Sequence, residues 1–119
     1  MEKDLICYFL EMSNQLQVMH WQTQSHAKHE AFGMAYDNLH GLIDTFIESY
    51  QGKYKRIKIT GSIELINIDG DVNQFITNHI NFLTDKLPDS LDEKDVGMIA
   101  LRDEMVTELD MLRYRLTLK

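Results

Sequence analysis

The longest amphipathic stretch of the chain, residues 26–54, reads HAKHEAFGMAYDNLHGLIDTFIESYQGKY. Its large apolar side chains recur at steps of three and four, which is the period of one face of an α-helix. This apolar face comprises Phe32, Tyr36, Leu39, Ile43, Phe46, Ile47, Tyr50 and Tyr54. The pattern predicts one helix of about 42 Å that begins at Ser25 or His26.

Three further segments carry helical patterns on either side of this stretch. The first spans residues 3–22, the third runs from Asp71 to just before Pro88, and the fourth begins after Asp92. The side chains expected to point inward are Leu5, Tyr8, Phe9, Met12, Leu16 and Met19; Val72, Phe75, Ile76, His79, Phe82 and Leu83; and Met98, Leu101, Met105, Leu109, Leu112 and Leu116. Four amphipathic helices must bury their apolar faces against one another, which predicts an all-α four-helix bundle in a single domain, residues 1–119.

The connection over residues 55–69 has a different pattern. Isoleucine and leucine alternate with polar residues around Gly61, which is typical of extended chain or of a small hairpin. About 15 extended residues span about 50 Å, enough to return along the whole bundle. The other connections are short turns that allow only antiparallel neighbours. We therefore expect a ferritin-like antiparallel bundle with a long crossover between its second and third helices.

The charge balance argues against nucleic acid as a partner. The chain has 12 Lys and Arg against 19 Asp and Glu, a formal net charge of -7, which repels phosphates unless basic residues are gathered in one place. The basic cluster at residues 53–58 is small and typical of a solvated linker. No apolar run approaches the roughly 20 residues of a membrane span, and a single cysteine, Cys7, permits no intrachain disulfide. We expect a cytoplasmic protein that binds neither DNA nor membranes.

A line of polar side chains runs beside the apolar face of the second predicted helix. Its members are His29, Asp37, His40, Asp44 and Glu48. Steps of three and four keep neighbours in this line within about one helical turn of each other. Imidazole and carboxylate together suit Fe, Mn or Zn, whereas Mg and Ca prefer oxygen ligands alone. His20, at the end of the first predicted helix, can reach the start of the second. A metal site is one interpretation of this line, and an ordinary solvated helix flank is the other.

The stretch of residues 20–48 resembles the Dps family, the mini-ferritins of bacteria. Members have a His-Trp pair near the end of the first long helix and a His-Glu pair early in the second. An Asp and a Glu follow 15 and 19 residues after that second His. Here the two pairs are residues 20–21 and 29–30, and Asp44 and Glu48 stand at those offsets. The segment between the two pairs is about three residues shorter than in the family.

The resemblance implies a ferroxidase site across a two-fold dimer interface. His20 and His29 would be ligands from one chain, and Asp44 and Glu48 would come from its partner. Iron is the implied metal, while Mn or Zn would suit the same donors. The resemblance thus makes Fe(II) oxidation the expected activity.

Several features depart from the family. Gly33 stands where the family has an Asp, so one carboxylate ligand is missing unless Asp37 or His40 replaces it. The chain is also shorter than usual, and it does not begin with the Lys-rich tail that many Dps proteins use on DNA. Compact sequences with this pattern also resemble uncharacterised bacteriophage proteins, so a viral source is a further expectation.

The second helix also predicts a homo-oligomer built from two-fold dimers. A glycine in mid-helix costs up to about 1 kcal/mol against alanine, so Gly33 and Gly41 require a steric reason such as the close approach of another helix. Trp21 could anchor a partner surface. The residues expected to lie partly outside the bundle are Trp21, Ala31, Ala35, Gly41 and Leu42. The competing interpretation is a monomer whose glycines serve only local packing.

Two functions from different classes stay open. The first is Dps-like iron binding, with oxidation of Fe(II), at a metal site formed by His20, His29, Asp37, His40, Asp44 and Glu48. The second is a non-catalytic helical module for assembly or protein binding, of the phage type, with a degraded metal site. Gly33 favours the second function, and the joint spacing of the His, Asp and Glu residues favours the first.

Other polar or reactive residues are expected to be structural. His79 lies on the apolar face of the third helix and is expected to be a hydrogen-bonded core histidine rather than a ligand. Cys7 is expected to be a small buried hydrophobe. Glu104 and Glu108 are expected on a solvated, salt-bridged face, with a role as additional ligands as the lesser alternative. His26 is expected near the start of the second helix, in contact with solvent or a neighbour.

Overall fold

The computed structural model describes residues 3–119, in which four α-helices pack into a bundle. The helices are α1 (Leu5–Gln22), α2 (His26–Lys53), α3 (Val72–Asn81) and α4 (Val96–Arg115). The all-α prediction is confirmed, since no residue of the described range lies in a β-strand. None of these helices is both long enough and apolar enough to cross a bilayer.

Local cap chemistry fixes where the first three helices begin. Asp4, Ser25 and Asp71 precede α1, α2 and α3, and each side chain accepts a hydrogen bond from a backbone N–H of the first turn. Such caps satisfy donors that the helix itself leaves unpaired. The predicted starts are therefore confirmed to within two residues, and α2 ends at Lys53, one residue before the predicted end.

The third helix changes its geometry before it ends. The α-helical part stops at Asn81 and continues as a π-helical turn, Phe82–Lys86, and a 3₁₀ turn, Leu87–Ser90. Pro88 lies in the first turn of this 3₁₀ segment, where the N–H that proline lacks is not needed. The helical path therefore passes Pro88 rather than ending before it as predicted.

The apolar faces of the helices meet in one core. Phe9 of α1 and Phe46 of α2 are fully buried and meet edge to face, with ring centroids 5.5 Å apart. Ala31 and Ala35 also belong to this core, with exposed fractions of 2% and 0%. The prediction that these two alanines lie partly outside the bundle is wrong, because their small side chains pack within the chain. Trp21 is 67% exposed, as expected.

Contacts between the helices define their directions. The three-residue turn 23–25 makes α1 and α2 antiparallel. Lys53, at the end of α2, forms an ion pair with Asp95 at the start of α4, so these two helices are also antiparallel. Tyr8, near the start of α1, stacks on Phe82, just beyond the end of α3. Helix α3 therefore runs opposite to α1 and in the same direction as α2.

The crossover, residues 54–71, runs in extended conformation along α1. Three of its backbone N–H groups donate to side chains of α1 or of its N-cap. Thr60 donates to Asp4 at 2.8 Å, Glu64 to Glu11 at 2.8 Å and Ile66 to Gln15 at 3.0 Å. No backbone–backbone hydrogen bond joins two residues within 55–70. The extended alternative is therefore confirmed and the hairpin alternative is wrong, because α1 takes the N–H groups that a hairpin would pair.

A buried carboxylate fastens the end of α2 to the start of α4. Asp95 is 3% exposed and accepts hydrogen bonds from the Lys53 ammonium, the Tyr54 hydroxyl and the backbone N–H of Asp92. The bonds from Lys53 and Tyr54 lower the pKa of Asp95 to about 2. Because this side chain is engaged with Lys53 and Tyr54, it makes no cap bond to the first turn of α4.

Candidate metal site

Two histidines meet where α1 ends and α2 begins. The rings of His20 and His29 stack with their centroids 3.8 Å apart and an interplanar angle of 17°. Nδ1 of His20 lies 2.7 Å from the backbone oxygen of His29, and Nδ1 of His29 lies 2.7 Å from the backbone oxygen of His20. The prediction that His20 reaches the start of the second helix is therefore confirmed. We call this pair the imidazole end of α2.

The reciprocal bonds define how the two rings are protonated. A backbone oxygen can only accept, so each Nδ1 must carry the proton and each neutral ring keeps its lone pair on Nε2. Neither Nε2 takes part in a hydrogen bond within residues 3–119. Metal-binding histidines commonly donate their second ring nitrogen to a backbone carbonyl in this way, which fixes the tautomer and the ring orientation. Each ring thus leaves one nitrogen free for a ligand, but because the rings stack nearly parallel, both can bind a single ion only if one of them rotates.

Gly33 makes room for this arrangement. A Cβ added to Gly33 would lie 2.9 Å from Cε1 and 3.0 Å from Nδ1 of His20, closer than real contacts allow. The His20 ring therefore packs directly against the backbone of α2. An Asp at position 33, as in the Dps family, would be incompatible with this ring position. The other mid-helix glycine, Gly41, is different, because a Cβ there would meet nothing within 4 Å.

Two carboxylates lie one helical turn apart further along α2. Asp44 and Glu48 are both exposed, and a hydrogen bond between their side chains, together with the charge of Asp44, raises the pKa of Glu48. The shift reflects two like charges held at neighbouring positions of one helix face. A cation between them would relieve the same repulsion that a shared proton relieves. We call this pair the carboxylate end of α2.

Asp37 and His40 lie between the two ends on the exposed side of α2. The His40 ring stacks on Tyr36 with a centroid separation of 5.8 Å. Within the part of the chain that the structure describes, no three His, Cys, Asp or Glu side chains lie close enough to hold a metal ion. The six candidate ligands therefore do not form a complete site in one chain, and neither Asp37 nor His40 completes one there.

Helix geometry explains why the two ends do not meet. His29 and Asp44 are separated by 15 residues of one continuous helix, which is about 22 Å along the helix axis. No rotation of side chains can close that distance. Each chain thus carries two separate groups of candidate ligands, one rich in nitrogen and one rich in oxygen.

The remaining histidine and carboxylate predictions are confirmed where the structure describes them. His79 is bonded to the Tyr8 hydroxyl through Nδ1, and burial lowers the pKa of His79 to about 4 against the opposing charge of Glu11. Glu108 forms an ion pair with Arg115 at 2.7 Å, so it belongs to a salt-bridged face. Cys7 is 3% exposed and lies in the interior, and His26 is exposed.

Sequence reasoning missed the role of Gly33 and the buried cluster around Asp95. A signal for the first exists, because Gly33 follows His29 by four residues and so lies on the same face of the helix. No comparable signal exists for Asp95, which meets its partner Lys53 across 42 residues of sequence.

Comparison with known proteins identifies a family to which the chain is similar. The sequence model of a family described as "Family of unknown function (DUF5856)" matches residues 20–116, from His20 through the end of α4. No curated protein and no solved structure matches the chain. The matched region contains all six candidate ligands as well as Gly33. The chain therefore belongs to DUF5856, a protein family of unknown function.

Proposed function

We propose that the protein is a ferritin-like, Dps-like metal-binding protein that binds Fe(II) between two copies of the chain and oxidises it there. The observation that carries this proposal is the imidazole end of α2. The two rings are held by reciprocal bonds to backbone oxygens, which leave Nε2 of each ring without a hydrogen bond in the described chain.

A second copy supplies the missing half. If two α2 helices pack antiparallel about a two-fold axis close to Asp37, the carboxylate end of each copy comes opposite the imidazole end of the other. Position 37 lies about midway between His29 and the pair Asp44 and Glu48. The outer side of α2 is free for this contact within one chain, because Asp37, Asp44 and Glu48 are exposed.

The combined donor set matches the chemistry of iron. Two imidazole nitrogens and two carboxylates are donors of intermediate hardness, and their total charge balances a divalent cation. Four protein ligands also leave coordination positions open for an oxidant. The histidines would bind and orient Fe(II) as substrate, while the carboxylates would offset the charge that increases as Fe(II) becomes Fe(III).

The architecture supports a ferritin-like classification. A ferritin-like bundle has one long crossover, in contrast to bundles built only from short turns. In this chain the crossover, residues 54–71, returns along α1, so α2 and α3 run in the same direction. This connectivity is the second support for the proposal, alongside the resemblance of residues 20–48.

Aerobic oxidation of Fe(II) tests the proposed activity. We expect that Asp44→Ala with Glu48→Ala reduces the rate to that of Fe(II) in buffer, because one half of every site is removed. A matched control, Glu104→Ala with Asp110→Ala, removes two exposed carboxylates from α4 and should keep the wild-type rate. Equal rates for all three proteins would remove the catalytic claim.

The second candidate function is a non-catalytic assembly or interaction module that inherited the scaffold. The steric contact between Gly33 and His20 favours it, because this contact excludes the Asp that the Dps family has at that position. Metal analysis of protein purified without chelator discriminates between the two functions. If no Fe, Mn or Zn copurifies and added metal leaves the melting temperature unchanged, the second function is correct, because a ligand of the folded state must stabilise that state.

A further inference from the structure

The crossover contains a sequence that is symmetric about one glycine. Residues 57–65 read IKITGSIEL, with Gly61 at the centre. Positions equally far from Gly61 carry residues of the same class: hydroxyl, aliphatic, charged and aliphatic. The four pairs are Thr60 with Ser62, Ile59 with Ile63, Lys58 with Glu64, and Ile57 with Leu65. The one charged pair has opposite signs. The segment is therefore complementary to a second copy of itself in the antiparallel direction.

One edge of this segment is occupied and the other is free. The N–H groups of Thr60, Glu64 and Ile66 donate to side chains of α1 or its cap. The backbone groups of Ile59, Ile63 and Leu65 form no hydrogen bond within residues 3–119. The chain bends at Gly61, and the N–H of Ile57 donates to Gln51 of α2 at 3.0 Å. Successive residues of extended chain direct their backbone groups to opposite edges, so Ile59, Ile63 and Leu65, on either side of the bend, face away from α1.

The free edge also carries exposed aliphatic side chains. Ile59 is 64% exposed, Leu65 is 45% exposed and Ile63 is 39% exposed. Natural proteins usually protect such an edge with charge, proline or covering chain, because an unpaired strand edge recruits another strand. Residues 57–65 contain no proline and only one charge of each sign.

We propose that residues 57–65 pair with the same segment of a second copy, as a two-stranded antiparallel ribbon about a two-fold axis through Gly61. In this register Ile59 lies opposite Ile63 of the second copy, and Lys58 lies opposite Glu64. Ile59 and Ile63, whose backbone groups are free, come opposite each other and can exchange hydrogen bonds. The free backbone groups are thus compatible with the register that the side-chain symmetry predicts.

The symmetry is not satisfied within one chain. A hairpin about Gly61 would bring Ile59 to Ile63 in the same chain, but the segment is extended with a bend at Gly61 and lies along α1. An isolated two-stranded ribbon is marginally stable in water. Here each strand is already ordered by its bonds to α1, so pairing costs less conformational entropy.

This ribbon axis is not the axis of the proposed metal site. Gly61 lies against Lys3, and Lys3 lines one cavity together with Tyr50 of α2. Tyr50 is about 13 residues, or about 20 Å along the helix, from Asp37. Two self-complementary contacts about different two-fold axes produce an assembly larger than a dimer. The ribbon therefore does not depend on metal binding.

Charge exchange across the ribbon tests the proposal. We expect Lys58→Glu and Glu64→Lys each to weaken self-association, measured in EDTA, by about tenfold. Each substitution puts like charges opposite one another at positions 58 and 64, and the two-fold axis makes this happen at two places in the ribbon. The double variant Lys58→Glu with Glu64→Lys should recover association to within about twofold, since opposite charges face each other again. Sedimentation equilibrium measures all four proteins, and four equal association constants would overturn the proposal.

Cysteine crosslinking tests the position of the axis. In the proposed register, residue 61 faces its own copy, whereas residue 60 faces residue 62 of the other chain. Gly61→Cys should form a disulfide-linked dimer on mild oxidation, because directly opposed strand positions have a Cα separation compatible with a disulfide. Thr60→Cys is the matched control and should crosslink much more slowly. Equal crosslinking of both variants, or none with Gly61→Cys, would contradict the register.

Discussion

The two ends of α2 contain the same number of candidate ligands but differ in how the chain holds them. At the imidazole end, His20 and His29 are fixed by stacking and by two bonds to backbone oxygens. At the carboxylate end, Asp44 and Glu48 are exposed, and a side-chain hydrogen bond with Asp44 and its charge raise the pKa of Glu48. One end is held by hydrogen bonds within the chain, and the other is an exposed pair of acidic side chains.

This difference indicates how the proposed site would be divided between tertiary structure and assembly. The imidazole end requires a turn, two helix ends and Gly33, so folding of one chain creates it. The carboxylate end requires only two residues one turn apart on a helix. Like charges so placed destabilise a helix slightly when they are unpaired. A cation and a second copy would remove that cost.

The largest expected effect is the loss of stabilisation by metal at either end. Zn²⁺ suits the same donors and does not change its oxidation state. At a concentration 100 times its dissociation constant, it should stabilise the wild type by about 2.7 kcal/mol. We expect His29→Ala and Asp44→Ala with Glu48→Ala each to remove this stabilisation, as measured by thermal unfolding with and without Zn²⁺. If one of the two variants keeps the full shift, that end does not bind the metal.

Comparison of the two mid-helix glycines should give a smaller effect. In Gly33→Ala the new methyl group meets the His20 ring, so we expect Zn²⁺ affinity to decrease by about tenfold through displacement of that ring. Gly41→Ala is the matched control, since its methyl group meets nothing within the chain. In urea unfolding with EDTA it should stabilise the fold by up to about 1 kcal/mol. Equal Zn²⁺ affinities for the two variants would mean that His20 is not held by the space at Gly33.

The smallest expected effect is the pH dependence of the carboxylate end. Because the folded-state pKa of Glu48 is raised above 4.5, the folded state holds that proton more tightly than the unfolded state. The pair should therefore destabilise the fold increasingly as pH rises through 4.5 and beyond. Asp44→Asn should be more stable than the wild type near pH 7, and the difference should shrink towards pH 4. A difference that does not change with pH would contradict the interaction.

The free energy of unfolding of the wild type should itself decrease as the pH is lowered through the acidic range. The pKa of buried His79 is lowered to about 4 from an ordinary value of 6.5. Between these two pH values the unfolded state binds a proton at His79 and the folded state does not. Stability is therefore lost as pH falls from 6.5 to about 4. In His79→Gln, the free energy of unfolding, measured by urea unfolding at each pH, should change less between pH 6.5 and pH 4. An unchanged slope would show that another group titrates there.

The helices were predictable because their signals are local. Each apolar face repeats within one turn, and Asp4, Ser25 and Asp71 cap donors only two or three residues away. The extended crossover was predictable for the same reason, since alternation is a property of neighbouring residues. The hairpin alternative failed because Asp4, Glu11 and Gln15 of the α1 region bind the crossover backbone from more than 50 residues away.

The candidate site was only partly predictable. The pairing of His20 with His29 followed from their positions near a short turn, but the reciprocal bonds depend on the conformation of residues 23–25. A small residue can serve core packing or the approach of another chain, and sequence does not distinguish the two. Ala31 and Ala35 pack in the core, whereas Gly41 faces open space. Which flank of α2 meets a neighbouring helix is decided by tertiary packing.

Subunit complementation tests most directly whether the two ends of α2 act together across two chains. One variant, His29→Ala, lacks the imidazole end, and the other, Asp44→Ala with Glu48→Ala, lacks the carboxylate end. A mixed dimer contains one site with both defects and one site with both wild-type halves. Circular dichroism of each variant first establishes that it is folded.

Fe(II) oxidation is then measured for each variant alone and for the two variants co-expressed in equal amounts. The account predicts that each variant alone is inactive, and that the mixture recovers about one quarter of the wild-type activity per chain, because half of the dimers are mixed and each has one intact site. Recovery of no activity by a mixture that sedimentation shows to be co-assembled would contradict a site shared between two copies.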